Sequence, residues 1–130
     1  MQKAYINQGL SVLSNILNDN KVKNIFLIVG VKGYSSIRHL IKPYFQKINI
    51  EIFFVSDSNF KTVISGCNKL KKCNSDLIIA IGGGRIIDIA KLISTAGFSD
   101  SNYENIIKGK ENLKNKFLPL LVMPTTAGTG

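Results

Sequence analysis

The 130-residue sequence has no tryptophan, one histidine, two cysteines and three prolines. The lone His39, without a carboxylate cluster, cannot form a divalent metal site, and Cys67 and Cys73 cannot build a disulfide framework. No apolar run approaches the roughly 18 residues that a membrane-spanning helix needs. The first ten residues also lack the apolar segment and cleavage site of a secretory signal. We therefore expect a cytoplasmic protein with reduced thiols and no membrane partner.

The sequence does contain a large apolar fraction and an excess of positive charge. Hydrophobic residues make up 45% of the chain, which is enough for the core of a single domain over residues 1–130. Seventeen Lys and Arg against eight Asp and Glu give a net charge of +9, which is compatible with nucleic-acid binding. The basic residues are scattered, however, and the tightest cluster is Lys69, Lys71 and Lys72. The simpler prediction is a solvated basic surface and no nucleic-acid partner, because phosphate binding needs a continuous patch.

Four short apolar runs predict the strands of a sheet: 25–29, 50–55, 77–81 and 118–123. The first three are continuous and rich in β-branched residues, which is typical of a parallel sheet that is covered on both faces. The fourth is acceptable as a strand despite Pro119, because proline is tolerated among the first residues of a strand.

Apolar residues at helical spacing precede the first strand and fill the gaps between the strands. In the first gap, Ser35 or Ser36 is predicted to cap a helix that is disturbed at Pro43. The polar segment before the last strand is predicted to be a long connection with one helical turn around Tyr103–Ile107. Strands that alternate with helices predict an α/β fold, a Rossmann-like parallel sheet of about four strands with flanking helices.

The strongest local signal is a run of three glycines, Gly82, Gly83 and Gly84, between the third strand and the next helix. Glycines let the backbone turn sharply and let a ligand approach it, and the helix start offers free N–H groups to an anion such as phosphate. The alternative is a tight turn with no ligand. The spacing matches neither the Walker loop nor the usual dinucleotide fingerprint, which has Gly or Ala where Ile87 stands.

Two further features accompany the glycine run. Asp88 is predicted to lie in the first turn of the helix, where it either favours the helix start or accepts a hydrogen bond from a ligand's hydroxyl or amide. The small residues and hydroxyls of Met123–Gly130 follow the last strand directly. In open α/β sheets, ligands bind in a crevice at the carboxyl ends of the strands, so this segment is a second candidate for ligand binding.

Together the two motifs resemble those of the iron-containing (group III) alcohol dehydrogenases, within the dehydroquinate synthase-like fold. Leu77–Lys91 is similar to the family pattern DLIIAIGGGSxxDxAK, and Pro119–Gly130 is similar to PLIAIPTTAGTG. The resemblance runs from about Ile25 to Gly130. It implies that residues 1–130 are the N-terminal NAD- or NADP-binding α/β domain of an oxidoreductase, truncated at its C-terminal end.

The resemblance also implies roles for individual residues. Gly82, Gly83 and Gly84 would present N–H groups to the cofactor pyrophosphate, and Asp88 would lie near the nicotinamide. Further expected cofactor contacts are Thr125, Thr126, Thr129 and, by its match to a Pro-Asn-Pro turn, Asn59.

Three positions depart from the family pattern. Arg85 replaces the usual serine, so that it either adds a charged contact to the cofactor or points to solvent. Ser58 and Phe60 replace the prolines that flank Asn59 in the family. Val31 stands where the family often has an aspartate, and the neighbouring Lys32 could offer a cation to a phosphate.

The family's metal ligands, an Asp and several His, would lie in a C-terminal helical domain beyond Gly130. We therefore assign no catalytic residue and no metal ligand to residues 1–130, and expect Fe(II) or another divalent metal only in that domain. The resemblance implies an alcohol or aldehyde substrate and a possible homodimer of the full-length protein. The alternatives are a stand-alone nucleotide- or phosphate-binding module without catalysis and, less simply, a basic nucleic-acid-binding domain.

Overall fold

The computed structural model describes residues 2–20, 22–96 and 118–125, and they form an α/β fold around one parallel sheet. The strands are β1 (Asn24–Val29), β2 (Asn49–Phe54), β3 (Leu77–Gly82) and β4 (Leu120–Pro124). The helices are α1 (Gln2–Asn20), α2 (Val31–Ile41), α3 (Phe60–Lys72) and α4 (Gly84–Ala96), and a 3₁₀ helix covers Lys42–Phe45. The predicted Rossmann-like sheet of four parallel strands with flanking helices is thus confirmed.

Helices cover both faces of the sheet, because successive side chains of a strand point to opposite sides. In β1, Phe26 and Ile28 pack into a core that includes apolar side chains of α3 and α4. Ile25, Leu27 and Val29 point the other way and pack with side chains of α1 and α2. All five are at most 1% exposed, which explains why β1 reads as one continuous apolar run.

The strand order is β2-β1-β3-β4, and it decides where a ligand can bind. The chain leaves β1 for β2 on one side of it, then crosses back to β3 on the other side. Such a change of direction opens a crevice between the carboxyl ends of the two inner strands. Val29 pairs with Ile81 in the register of β1 and β3, so Gly30 and the glycine run are brought to the same place.

The prediction that β2 is buried on both faces is wrong. This strand lies at the edge of the described sheet, and its side chains are exposed or half-buried except for Phe53, with Phe54 44% exposed. Lys69 of α3 covers part of the free edge, since its Nζ donates to the Ile52 carbonyl at 2.8 Å and lies 3.4 Å from Glu51 Oε1. The apolar composition of β2 reflects strand propensity more than burial.

The predicted capping of the second helix by Ser35 or Ser36 is also wrong. The helix α2 already begins at Val31, with Gly30 as its extended N-cap residue. The two serine hydroxyls donate instead to carbonyls one turn earlier in the same helix, those of Val31 and Lys32, each at 3.2 Å. Serines inside a helix often bond in this way, so they do not by themselves mark its start. The turn predicted around residues 103–107 lies outside the described residues.

Candidate functional site

The glycine run turns β3 directly into α4. A Cβ atom on Gly82 would lie 2.7 Å from Cγ1 and 2.9 Å from Cβ of Ile86, so this position has no room for a side chain. The Ile87 N–H donates to the Gly83 carbonyl at 3.1 Å, which begins the hydrogen-bonding of α4. The turn is therefore built so that the first N–H groups of α4 face outward from the end of the sheet.

Thr125 closes the turn from the neighbouring strand. Its N–H donates to the Gly82 carbonyl at 3.1 Å, directly after β4 ends at Pro124. The two motifs that stand out in the sequence, about forty residues apart, are thereby joined by a hydrogen bond. Thr126 and Thr129 lie outside the described residues.

A crevice of about 310 Å³ opens at the junction of β1 and β3. Its described lining consists of Gly30, Lys32, Gly33, Ser36, Ile37, Ile81, Gly82, Gly83, Ile86 and Thr125. Two helices, α2 and α4, begin at its border, and helix N-termini favour anions. Lys32 adds a positive charge, and none of the described lining residues is acidic. The crevice therefore suits a negatively charged group.

The sequence pattern did not single out Gly30 and Ser36 as crevice residues. The signal that could have identified Gly30 is its position directly after the first strand. That position predicts a crevice residue only when the strand order is known, because the crevice lies where β1 and β3 are neighbours. Lys32 lines the crevice, whereas Val31 is 58% exposed and occupies the first position of α2.

Two smaller depressions lie beyond the glycine run from this crevice. One, of about 220 Å³, is lined by Val55, Ser56, Ser58, Gly83, Arg85 and Ile86. The other, of about 240 Å³, is lined by Ser58, Asn59, Phe60, Val63, Arg85, Asp88, Ile89 and Leu92. Arg85 borders both of them but not the crevice with Thr125. Three of the predicted site residues, Asn59, Arg85 and Asp88, are thus brought together here.

Asn59 caps a helix in this region. Its Oδ1 accepts hydrogen bonds from the Thr62 N–H at 3.0 Å and from the Thr62 hydroxyl at 3.1 Å, so that α3 begins immediately after it. An N-cap of this kind is common and stabilises the helix. The Asn59 amide NH₂ makes no hydrogen bond among the described residues, which leaves it able to donate to a ligand.

Asp88 is exposed on α4, but the prediction that it lies in the first turn is wrong. The helix begins at Gly84, which makes Asp88 its fifth residue. The reason is that Gly84 itself already has helical geometry, so the glycine run contributes to the helix. A role of Asp88 in stabilising the helix start is correspondingly weakened, because the dipole effect falls off within the first turn.

The remaining reactive side chains take no part in this site. Burial raises the pKa of Cys67 to about 12, and burial, then the charge of Glu51, raise the pKa of Cys73 against the opposing effect of Lys69. Both thiols are free and are held in the protonated, unreactive form. His39 is exposed on α2. Within the described ranges, no helix is long and apolar enough to cross a membrane.

Comparison with known families shows to which family this chain belongs. The family of iron-containing alcohol dehydrogenases matches residues 3–130. This chain belongs to that family. The 4-hydroxybutyrate dehydrogenase of Clostridium kluyveri is 50% identical over 99 residues, which cover 70% of this chain and 26% of the relative. Alcohol dehydrogenase 4 of Saccharomyces cerevisiae is 38% identical over 89 residues, 65% of this chain and 22% of the relative.

The fold of this family member also matches solved structures. Sulfoacetaldehyde reductase from Bifidobacterium kashiwanohense in complex with NAD⁺ superposes with a TM-score of 0.76 at 20% sequence identity, covering 89% of this chain and 32% of that one. At this identity the match supports the fold alone. The chain spans about a quarter or less of the length of the curated relatives described above.

The described residues do not provide a set of ligands for the iron after which the family is named. Residues 2–20, 22–96 and 118–125 contain no group of three His, Cys, Asp or Glu side chains that could hold a metal ion. Structural and catalytic metal sites need at least three such ligands. We therefore derive no reaction step through a metal from these residues.

Proposed function

We propose that residues 1–130 are the N-terminal cofactor-binding portion of an NAD(P)-linked dehydrogenase that transfers a hydride between the nicotinamide and an alcohol or carbonyl substrate. The single observation that carries the proposal is the glycine turn at the junction of β1 and β3, where two helix N-termini border a crevice whose described lining contains no acidic residue. Membership of the iron-containing alcohol dehydrogenase family supports it. NAD(P), when bound, supplies the hydride chemistry, and this part of the chain supplies its binding.

In this proposal the glycine run binds the pyrophosphate. The steric limit at Gly82 and the hydrogen bond from Ile87 to Gly83 hold the backbone so that a phosphate can approach it closely. Gly84, as the first residue of α4, contributes its N–H at the positive end of the helix dipole. A side chain on any of the three would stand between the backbone and the phosphate.

The other predicted contacts surround this loop. Thr125 is held against it by hydrogen bonding and lines the crevice. We propose that Thr126 and Thr129 also contact the cofactor. Asn59 is proposed to donate to the cofactor through its amide while its oxygen caps α3. Asp88 is proposed to accept a hydrogen bond near the nicotinamide, because a carboxylate placed against the pyrophosphate would be repelled.

We further propose that the enzyme accepts NADP at least as well as NAD. In dinucleotide sites, an acidic residue accepts from the adenosine ribose and repels a 2′-phosphate. No acidic residue lines the described part of the crevice, Val31 stands at the position expected for the acid, and Lys32 offers a positive charge instead. Metal-dependent activation of the substrate, a helical C-terminal domain and a homodimer belong to the full-length protein in this proposal.

The relatives point to a substrate class. The Clostridium kluyveri relative, 50% identical over 99 residues, is a 4-hydroxybutyrate dehydrogenase. We propose that a short hydroxy acid, or the corresponding aldehyde acid, is among the substrates.

The proposed function is tested by measuring alcohol-dependent reduction of NAD and NADP with the full-length protein and added Fe(II). We expect turnover with 4-hydroxybutyrate. Binding of dinucleotide without turnover on any alcohol or aldehyde would favour the alternative, a nucleotide-binding module without catalysis.

A further inference from the structure

Arg85 follows the proposed phosphate loop directly in the sequence and shares a depression with Gly83 on the side away from the crevice. It is the second residue of α4 and is exposed. Among the described residues, its guanidinium forms neither a hydrogen bond nor an ion pair. It borders the two depressions beyond the glycine run and not the crevice with Thr125.

Residues with hydrogen-bonding side chains share the two depressions with Arg85. Ser56 and Ser58 line the first depression, and Ser58 and Asn59 line the second. A guanidinium presents paired N–H groups in one plane, which match the two oxygens of a carboxylate. Serine hydroxyls can supply the additional hydrogen bonds that such an anion accepts.

Asp88 limits which anion fits. It lies three residues after Arg85 on the same face of α4 and lines the same depression. The negative charge of Asp88 repels a dianionic phosphate more strongly than a monoanionic carboxylate. The arrangement therefore favours a singly charged group.

We propose that Arg85 binds the carboxylate of the substrate and so makes the enzyme selective for short hydroxy acids over neutral alcohols. This inference rests on the proposed function, since it requires the reacting carbon to lie beside a nicotinamide held at the same loop. Asn59 and Asp88, the two residues proposed to contact the cofactor on this side, share the depression with Arg85. A carboxylate on Arg85 therefore keeps the substrate next to the cofactor, because a short hydroxy acid separates its two functional groups by only a few carbon atoms.

The test compares two substrates of equal chain length, 4-hydroxybutyrate and 1-butanol, with the full-length enzyme. Steady-state kinetics are measured for the wild type, Arg85→Gln, Arg85→Lys and the control Lys91→Gln, which removes one positive charge elsewhere on the exposed surface of α4. Arg85→Gln is expected to lower kcat/KM for 4-hydroxybutyrate about 10- to 100-fold, chiefly through KM, as for the loss of a charged hydrogen bond. The value for 1-butanol and the KM for the cofactor should change less than threefold. Arg85→Lys should recover part of the loss.

Three other results would contradict the Arg85 proposal or the proposed function. Equal losses with both substrates and a raised KM for the cofactor would show that Arg85 contacts a cofactor phosphate, which overturns the proposal. Changes no larger than those of Lys91→Gln would show a solvated cation and overturn it too. A wild-type enzyme that binds the dinucleotide but turns over no alcohol or aldehyde would contradict the proposed function itself and the Arg85 proposal with it, whereas turnover of 1-butanol in the wild type leaves that function intact when the Arg85 proposal fails.

Discussion

Gly66 of α3 lies where the helix packs closely against β2 and α4, and Gly66→Ala is predicted to destabilise the protein. The position is buried, and a Cβ atom there would lie 3.0 Å from Cε2 of Phe53 and 3.1 Å from Cγ1 of Ile93, and closer still to Cδ1 of Ile93. Phe53 belongs to β2 and Ile93 to α4, and both are core residues. The added methyl group must therefore push α3 away from both elements or force Ile93 from its preferred rotamer.

The expected magnitude is the difference of two effects. Overpacking of a core costs about 1–3 kcal/mol, while replacing glycine by alanine inside a helix gains about 0.5–1 kcal/mol. Gly66→Ala should therefore lower the free energy of unfolding by roughly 0.5–2 kcal/mol. Gly33→Ala is the matched control: Gly33 lies in α2, and a Cβ atom there meets nothing within 4 Å. It should raise the free energy of unfolding by about 0.5–1 kcal/mol.

Urea denaturation followed by circular dichroism measures both variants, and a double-mutant cycle locates the clash. Ile93→Val removes the Cδ1 atom that the new methyl group would strike, at a cost of about 0.5–1.5 kcal/mol by itself. The double variant Gly66→Ala/Ile93→Val should be more stable than the sum of the single effects by at least about 0.5 kcal/mol. Additive effects, or a Gly66→Ala variant as stable as Gly33→Ala, would refute the packing described here.

Three further predictions concern single positions. Asn59→Asp keeps an oxygen for the Thr62 N–H and should preserve stability within about 0.5 kcal/mol, whereas Asn59→Ala should lose about 1 kcal/mol in urea denaturation; equal losses would contradict the cap. The pKa of Cys67 is raised from 9.0 to about 12, so above pH 9 the unfolded chain releases this proton while the folded chain retains it. The free energy of unfolding should then fall as the pH rises from 9 to 12, and less steeply in Cys67→Ala; parallel curves would show that Cys67 does not contribute. Val31→Asp places an acid at the exposed first position of α2, which tolerates it, and should shift preference toward NAD by about 1–3 kcal/mol. The ratio of kcat/KM for the two cofactors measures this shift, and a wild type with a strong NAD preference that Val31→Asp leaves unchanged would show that the residue does not contact the ribose.

The strands could be predicted from the sequence because local composition determines them. A short, continuous apolar run that is rich in β-branched residues, such as Leu77–Ile81, favours a buried strand over a helix. The burial of β2 could not be predicted in the same way, because an edge strand and a central strand can have the same apolar composition. Only the strand order, which depends on contacts distant in sequence, distinguishes them.

In the candidate site, too, the local features could be predicted from the sequence and the contacts between distant segments could not. The glycine turn is a local feature, and its residues were identified by their type and spacing alone. The meeting of Gly30 and Ser36 with this turn, and of Asn59 with Arg85, results from the crossover between strands. The start of α2 was misplaced because a serine predicts a cap wherever it stands, whereas Gly30 already provides the extended residue that a helix needs before its first turn.

A titration with NADH shows whether the glycine turn binds the phosphates of a dinucleotide. The full-length wild type, Gly83→Val and the control Cys67→Ala, which alters the buried core of α3, are compared by the change in NADH fluorescence, with circular dichroism to confirm folding. We expect the wild type and Cys67→Ala to bind NADH and folded Gly83→Val not to bind it, because the valine side chain occupies the space in which the phosphate must approach the backbone. Equal affinity of Gly83→Val and the wild type would contradict the assignment of this turn as the cofactor site.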